Sequence, residues 1–192
     1  DCIDVSTWNT GNVTSMGTMF YGCELLESLE FGPGFDTSNV KSMDQMFRNC
    51  GSLKELDLSM FNTGKVTTMS NMFLYDGNLE TIKFGENFTT ESVLSMNGMF
   101  EYCGSLKELD LSTFDTRNVT NMGYMFLDDG ALTTIYATDK FVVDQVVENG
   151  ENSLPFRNNR VLVGGLGTTF QGRGKVYAHI DGGSDNPGYF NR

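Results

Sequence analysis

Histidine and tryptophan occur once each in the 192 residues, proline three times, and basic residues are outnumbered by acidic ones, 13 to 25. A single imidazole makes a histidine-based catalytic apparatus or a histidine-rich metal site a poor fit. The formal net charge of −12 argues against nucleic acid as partner, because a phosphate backbone needs a basic face. It argues equally against an anionic membrane surface. No uninterrupted run of about 18 apolar residues is present, so no segment reads as a helix inserted through a bilayer. The four cysteines form no CxxC pair, which removes the usual zinc spacing. They make no disulfide framework, which says nothing about redox compartment because a core of this size does not need one. The sequence has no signal-like segment and starts at Asp1 inside a repeat. It reads as a cut-out or processed piece of a longer protein, so the missing targeting signals leave the compartment open. Hydrophobic residues make up 39% of the chain, enough for a core and against wholesale disorder.

What the sequence does have is a repeat. The pair Met-Phe recurs at Met19-Phe20, Met46-Phe47, Met72-Phe73, Met99-Phe100 and Met125-Phe126, in steps of 27, 26, 27 and 26 residues. Other apolar columns keep the same steps: Val13, Val40, Val66, Val93, Val119; Met16, Met43, Met69, Met96, Met122; and the aromatic column Trp8, Phe35, Phe61, Phe88, Phe114. A leucine column runs Leu26, Leu53, Leu79, Leu106, Leu132, followed three residues on by Leu29, Leu56, Ile82, Leu109, Ile135. The alternation has a visible source. The turns Gly32-Pro33-Gly34 and Gly85-Glu86-Asn87 carry one residue more than Ser59-Met60 and Ser112-Thr113, so two repeats make a 53-residue unit, and Gly51 to Ser59 recurs identically as Gly104 to Ser112.

Each repeat reads as two short elements. Leu53-x-x-Leu56-x-Leu58 ends in alternation, which suits a short strand with Leu56 and Leu58 facing inward. Val40-x-x-Met43-x-x-Met46-Phe47 has spacing near 3.6, which predicts one face of a short helix. A threonine stands three residues before each valine (Thr10, Thr37, Thr63, Thr90, Thr116), a helix N-cap position. Clusters such as Asn49-Cys50-Gly51 would close each helix. One repeat cannot bury its own apolar side, whereas stacked repeats form a continuous core. The expected fold is therefore an α/β leucine-rich-repeat solenoid, with parallel short strands on one face and short helices on the other. The array spans residues 1–137 in five to six turns, the first of them truncated. Residues 138–192 hold a degenerate last turn, marked by Phe141, Val146, Phe156 and Leu162, and a Gly-rich C-terminal cap. In the cap, Val176-Tyr177-Ala178-His179-Ile180 alternates and predicts a strand that covers the end of the stack.

The string Phe114-Asp115-Thr116-Arg117-Asn118-Val119-Thr120-Asn121-Met122-Gly123-Tyr124-Met125-Phe126, preceded by Gly104 to Ser112, resembles the BspA-like leucine-rich-repeat surface proteins of bacteria. The tail is similar to the segment ending such arrays: Leu162-Val163-Gly164-Gly165, Ala178-His179-Ile180-Asp181-Gly182-Gly183, and Asn186-Pro187-Gly188-Tyr189-Phe190. The resemblance covers essentially the whole chain. It implies a solenoid on a secreted or surface-anchored protein, and adhesion or matrix binding for some members. Asp76 and Asp129 depart from it, standing where the family usually has Cys.

Several constellations invite a chemical reading and have a plainer one. The ten Met of the columns offer thioethers of the kind that favour copper(I), but they stand beside Val and Phe, where Met fills core gaps. Cys23, Cys50 and Cys103 share a column. Cys50 and Cys103 lie two turns, roughly 10 Å, apart and are too distant to bridge; Cys23 and Cys50 are neighbours, and buried free thiols are the plain reading. Cys2 aligns with Glu55 at a surface position. Gly164-Gly165-Leu166-Gly167 and Gly172-Arg173-Gly174-Lys175 are only fragments of phosphate loops. His179 and Asp181 lack a partner serine in a recognisable elbow. Asp181, Asp185 and Asn186 offer calcium-type oxygens without EF-hand spacing. The glycosylation tripeptides at Asn12, Asn87 and Asn118 follow from the repeat itself. No cofactor or metal is expected.

The outward strand positions carry the functional signal. They read Cys2, Ser28, Glu55, Thr81, Glu108, Thr134 in one column and Asp4, Glu30, Asp57, Lys83, Asp110, Tyr136 in the next. In a curved solenoid this sheet lines the concave side, the usual recognition surface. The expected ligand-binding residues are Glu30, Glu55, Asp57, Lys83, Glu108, Asp110 and Tyr136. They would form an acidic strip for a protein or glycan partner on a host or neighbouring cell, presented by a monomeric, non-enzymatic, extracellular or cell-surface module. Six turns give a strip roughly 29 Å long and roughly 450–600 Å² in area, below the roughly 800 Å² per partner of a stable interface. A structural stalk that spaces other modules is the competing expectation.

Overall fold

The computed structural model describes residues 2–147, 149–150, 154–169, 172, 174–186 and 188–192. Its strands are β1 (Cys2–Val5), β2 (Ser28–Phe31), β3 (Glu55–Leu58), β4 (Thr81–Phe84), β5 (Glu108–Asp110), β6 (Thr134–Tyr136) and β7 (Phe190–Asn191). Each of β1 to β6 begins a new turn of a parallel-strand solenoid. Within the strands Leu29, Leu56, Leu58, Leu109 and Ile135 are buried and their strand neighbours are exposed, or half-buried at Thr134, as the alternation requires. Cys2 lies opposite Ser28, Glu55 opposite Thr81, and Glu108 opposite Thr134, each 26 residues on. Ladder pairing lapses between β2 and β3 and between β4 and β5, where the partners Ser28 and Glu55, or Thr81 and Glu108, are 27 apart. The extra residue of the long turns falls at those junctions. Gly32 and Gly85 sit in the long turns because a Cβ there would lie 2.0 Å from the carbonyl oxygens of Ser6 and Ser59 in the coil before.

The expected helical face is absent: no α-helix occurs among the described residues. The Val-Met-Phe segments are instead chains of turns hydrogen-bonded from coil to coil. Alternate amides, those of Met16, Thr18, Phe20 and Gly22, donate to Ser42, Asp44, Met46 and Arg48 of the next coil. The amides between them, those of Met19, Tyr21 and Cys23, close turns onto Met16, Thr18 and Phe20 three residues back. Two columns hold the left-handed conformation that makes this possible. One is Thr18, Gln45, Asn71, Gly98 and Tyr124, with φ between 57° and 61°; the other is Gly22, Asn49, Tyr75, Tyr102 and Asp128, with φ between 60° and 73°. A left-handed residue every fourth position breaks the i to i−4 ladder of a helix. The threonines accordingly cap nothing helical. Their buried hydroxyls reach across coils, Thr37 to the Asn62 carbonyl at 2.9 Å and Thr90 to the Asp115 carbonyl at 2.8 Å.

The core is a column of rings. Phe20, Phe47, Phe73, Phe100, Phe126 and Phe156 stack at centroid spacings of 5.3–5.8 Å with planes within 9° of parallel. Phe141, Val146, Phe156 and Leu162 are all buried, so the degenerate last turn continues the stack. Tyr189 and Phe190 then meet Phe156 edge-on, at 84° and 66°, and the parallel column ends there. The strand expected over Val176 to Ile180 is replaced by a short 3-10 helix, Lys175–Tyr177, and a single bridge from Ile180 to Phe190. The end of the chain supplies β7, which pairs with β6; local alternation could not reveal that competitor. No helix among the described residues is long and apolar enough to cross a membrane.

Candidate functional site

Glu30, Glu55, Asp57, Lys83, Glu108, Asp110 and Tyr136 are all exposed on the outer face of the strands. Register places Asp57 beside Lys83, Asp110 beside Tyr136, and Asp4 beside Glu30. The structure thus brings the sequence-derived set together as one ribbon running across the coils.

The ribbon's carboxylates are of two kinds. Asp4, Asp57 and Asp110 accept the backbone N–H of Ser6, Ser59 and Ser112, two residues on, at 2.8–2.9 Å. They fold the turn that ends one of the two strands in each 53-residue unit, β1, β3 and β5. Asp57 also receives Lys83 Nζ at 3.0 Å. The hydrogen bonds from Ser59, with Lys83 adding to them, bring the Asp57 carboxyl down to about 2. Both side chains of that pair are more than half exposed, so it contributes little stability. By contrast, no hydrogen bond or ion pair among the described residues engages the side-chain carboxylates of Glu30, Glu55 or Glu108. Those three glutamates are the unpaired acids of the ribbon.

A second exposed row escaped the sequence reading. The Arg48 guanidinium lies 5.4 Å from the Tyr21 ring centre and 5.8 Å from that of Tyr75, and Tyr75 stacks on Tyr102 at 5.0 Å. The recurrence of Tyr at 75 and 102, one repeat apart, was the available signal.

In the cysteine column Cys50 and Cys103 are buried, whereas Cys23, expected to be buried, is half-buried in the first coil. Cys23, Cys50 and Cys103 are free thiols. Cys50 donates to the Phe20 carbonyl and Cys103 to the Phe73 carbonyl, both at 3.1 Å. Burial, and then the neighbouring Asp76, push the Cys50 thiol up to about 12, so it is unreactive as a nucleophile. Asp76 and Asp129 are fully buried in the same column. Each accepts one backbone N–H, from Cys50 at 2.7 Å and from Cys103 at 2.9 Å. The other oxygen of each has no hydrogen-bond partner. Burial raises Asp76 to about 8 and Asp129 well above the ordinary carboxylate range.

Asp181 is a latch in the cap. Its two oxygens accept from the backbone N–H groups of Leu166, Thr168 and Gly183 and from the Thr168 hydroxyl, at 2.6–3.1 Å. Burial works to raise its pKa, but these bonds outweigh it and the carboxyl stays below its ordinary value. Its lone pairs are committed to N–H and O–H donors, which replaces the calcium reading of Asp181, Asp185 and Asn186. Within the fragment Gly164 to Gly167, the Leu166 N–H serves the same latch. Of the second fragment, Arg173 lies outside the described residues, as does the side chain of Cys2. No group of three or more metal-ligating side chains occurs among the described residues.

A family model described as "Mycoplasma protein of unknown function, DUF285" matches residues 2–81 and again 58–152, together most of the chain. No curated protein and no solved structure matches it.

Proposed function

The chain belongs to the Mycoplasma family of unknown function DUF285, and we propose that within it this solenoid is a non-enzymatic recognition module of a bacterial cell-surface or secreted protein. The observation that carries the reading is the ribbon. Glu30, Glu55 and Glu108 stand exposed and unengaged on strands whose inner faces are locked into one continuous core. A rigid scaffold holds them without further ordering cost, which favours binding. Their charge selects a basic protein surface as partner and speeds its approach. The resemblance to BspA-like surface proteins, some of which adhere, supports the same reading and an extracellular location.

The test is charge reversal. The triple variant Glu30→Lys, Glu55→Lys, Glu108→Lys is compared with the parent chain for retention on host-cell and matrix proteins immobilised as an array. The proposal expects saturable, salt-sensitive retention that the triple variant loses while its melting temperature holds. Absence of any saturable partner favours the stalk, a reading supported by the small area of the ribbon.

A further inference from the structure

Two hollows meet at the C-terminal end of the ribbon. The larger, about 860 Å³, lies between the last strands and the cap. The smaller, about 290 Å³, adds Ser112 and Ala137. Tyr136, Thr138, Asp139 and Arg192 line both. We propose that these joined hollows are a binding site for the end of a neutral oligosaccharide, sharing Tyr136 with the ribbon but none of its glutamates.

Size comes first: the larger hollow falls within the roughly 300–1,000 Å³ of small-ligand sites. Its floor is preformed, because Phe141 and Phe190 are buried and packed edge-to-face at 4.8 Å. A preformed floor spares a ligand the cost of ordering it.

The polar lining then narrows the ligand class. Tyr136 and Thr138 offer hydroxyls, Asn186 an amide, Asn191 its amide oxygen, and His179 the ring nitrogen not engaged with the Ile180 carbonyl, the Asn191 amide nitrogen being bonded to the Ile135 carbonyl. These groups both donate and accept, as hydroxyl-rich ligands require. The charges nearby are already compensated. Asp139 and Arg192 pair with each other at 3.5 Å on the rim, and the Asp181 carboxylate is saturated by the latch. Among the described lining residues, a charged ligand therefore finds no counter-ion without a partner. An extended peptide finds no free ladder either, since β7 is paired with β6 on one side and bridged by Ile180 on the other; strand addition needs an open edge. The Tyr136 ring, 36% exposed, supplies an apolar wall for the C–H face of a sugar ring.

The experiment uses the full chain with cellotriose, chitotriose, maltotriose and N-acetyllactosamine as separate probes, read by saturation-transfer NMR and titration calorimetry. Saturable binding of at least one is expected, weakened about tenfold or more by Tyr136→Ala and by Asn186→Ala. The ribbon variant Glu30→Lys, Glu55→Lys, Glu108→Lys should bind the saccharide unchanged, so failure of the ribbon reading and of this one are separately visible. Thr138→Val replaces Tyr136→Ala if the latter lowers the melting temperature. No saturable binding among the four probes overturns the proposal. So does binding that the hollow variants leave intact.

Discussion

Asp76 accepts the backbone N–H of Cys50, one coil earlier, at 2.7 Å, while its other carboxyl oxygen is buried without a partner. In the same column the thiols of Cys50 and Cys103 donate to a phenylalanine carbonyl of the preceding coil. A protonated carboxyl can provide both halves of that pattern, one oxygen accepting from the amide and the O–H donating to a carbonyl. An ionised one cannot. Burial enforces the protonated form, by raising Asp76 from 3.8 to about 8.

Stability should therefore fall with rising pH. The folded-state pKa lies above the unfolded one, so the stabilising contribution is complete below about pH 4 and declines as pH rises to about 8 for Asp76; Asp129, raised by burial in the same direction, adds a decline of the same sign. Within that window each group costs about 1.4 kcal/mol per pH unit. Urea midpoints measured between pH 4 and 9 should show the decline. Asp76→Cys, which restores the residue type of its column, should reduce the slope. A flat profile contradicts the buried acids.

The ring column predicts a steep response to truncation. Phe100→Ala opens a cavity between Phe73 and Phe126, its stacking partners at 5.5 and 5.8 Å, and should cost about 3–5 kcal/mol. Leu56→Ala or Leu109→Ala should cost about 2–5 kcal/mol, and Glu55→Ala on the outer face within about 0.5 kcal/mol. Chemical denaturation checks the ranking; equal losses for Leu56 and Glu55 would overturn the assigned facing.

Thr90 separates the observed coil-to-coil bond from a helix cap. Its hydroxyl donates to the Asp115 carbonyl at 2.8 Å and accepts the Asp115 N–H at 2.9 Å. Thr90→Val keeps the shape and strands both groups, at a cost of about 1–3 kcal/mol. Hydrogen exchange should quicken at the Asp115 amide in the next coil; quickening at the amides following Thr90 instead would indicate local capping.

Two glycines give a paired test of coil spacing. Gly85→Ala drives a Cβ to 2.0 Å from the Ser59 carbonyl oxygen, whereas Gly51→Ala meets nothing within 4 Å. Overpacking of this kind costs about 1–3 kcal/mol. The melting temperature should drop for Gly85→Ala and hold for Gly51→Ala.

Much of this architecture was legible because stacked coils repeat their contacts. Leu56 and Leu109 point inward, and Phe47, Phe73 and Phe100 share one column, as the period of 26 and 27 residues demands. The helix reading of Val40, Met43 and Met46 failed for a definite reason: apolar residues three apart suit a helix and a chain of three-residue turns alike. The left-handed positions that decide between them are occupied by Thr, Gln, Asn, Gly and Tyr in one column, a mixture with no common signal. The ribbon's glutamates were found because they alternate with buried leucines. The turn-folding role of Asp57 and Asp110 lay in the Asp-Leu-Ser spacing and went unread.

The sequence by itself determined the periodicity, the facing of each strand and the membership of the core columns, since burial repeats wherever the same side chain recurs at the same step. Only the tertiary structure decided where the backbone amides go, because an N–H bonded to the next coil and one bonded within its own helix leave the same side-chain pattern. It alone also assembled the hollow at the cap, whose walls come from segments separated along the chain and brought together when β7 closes onto β6.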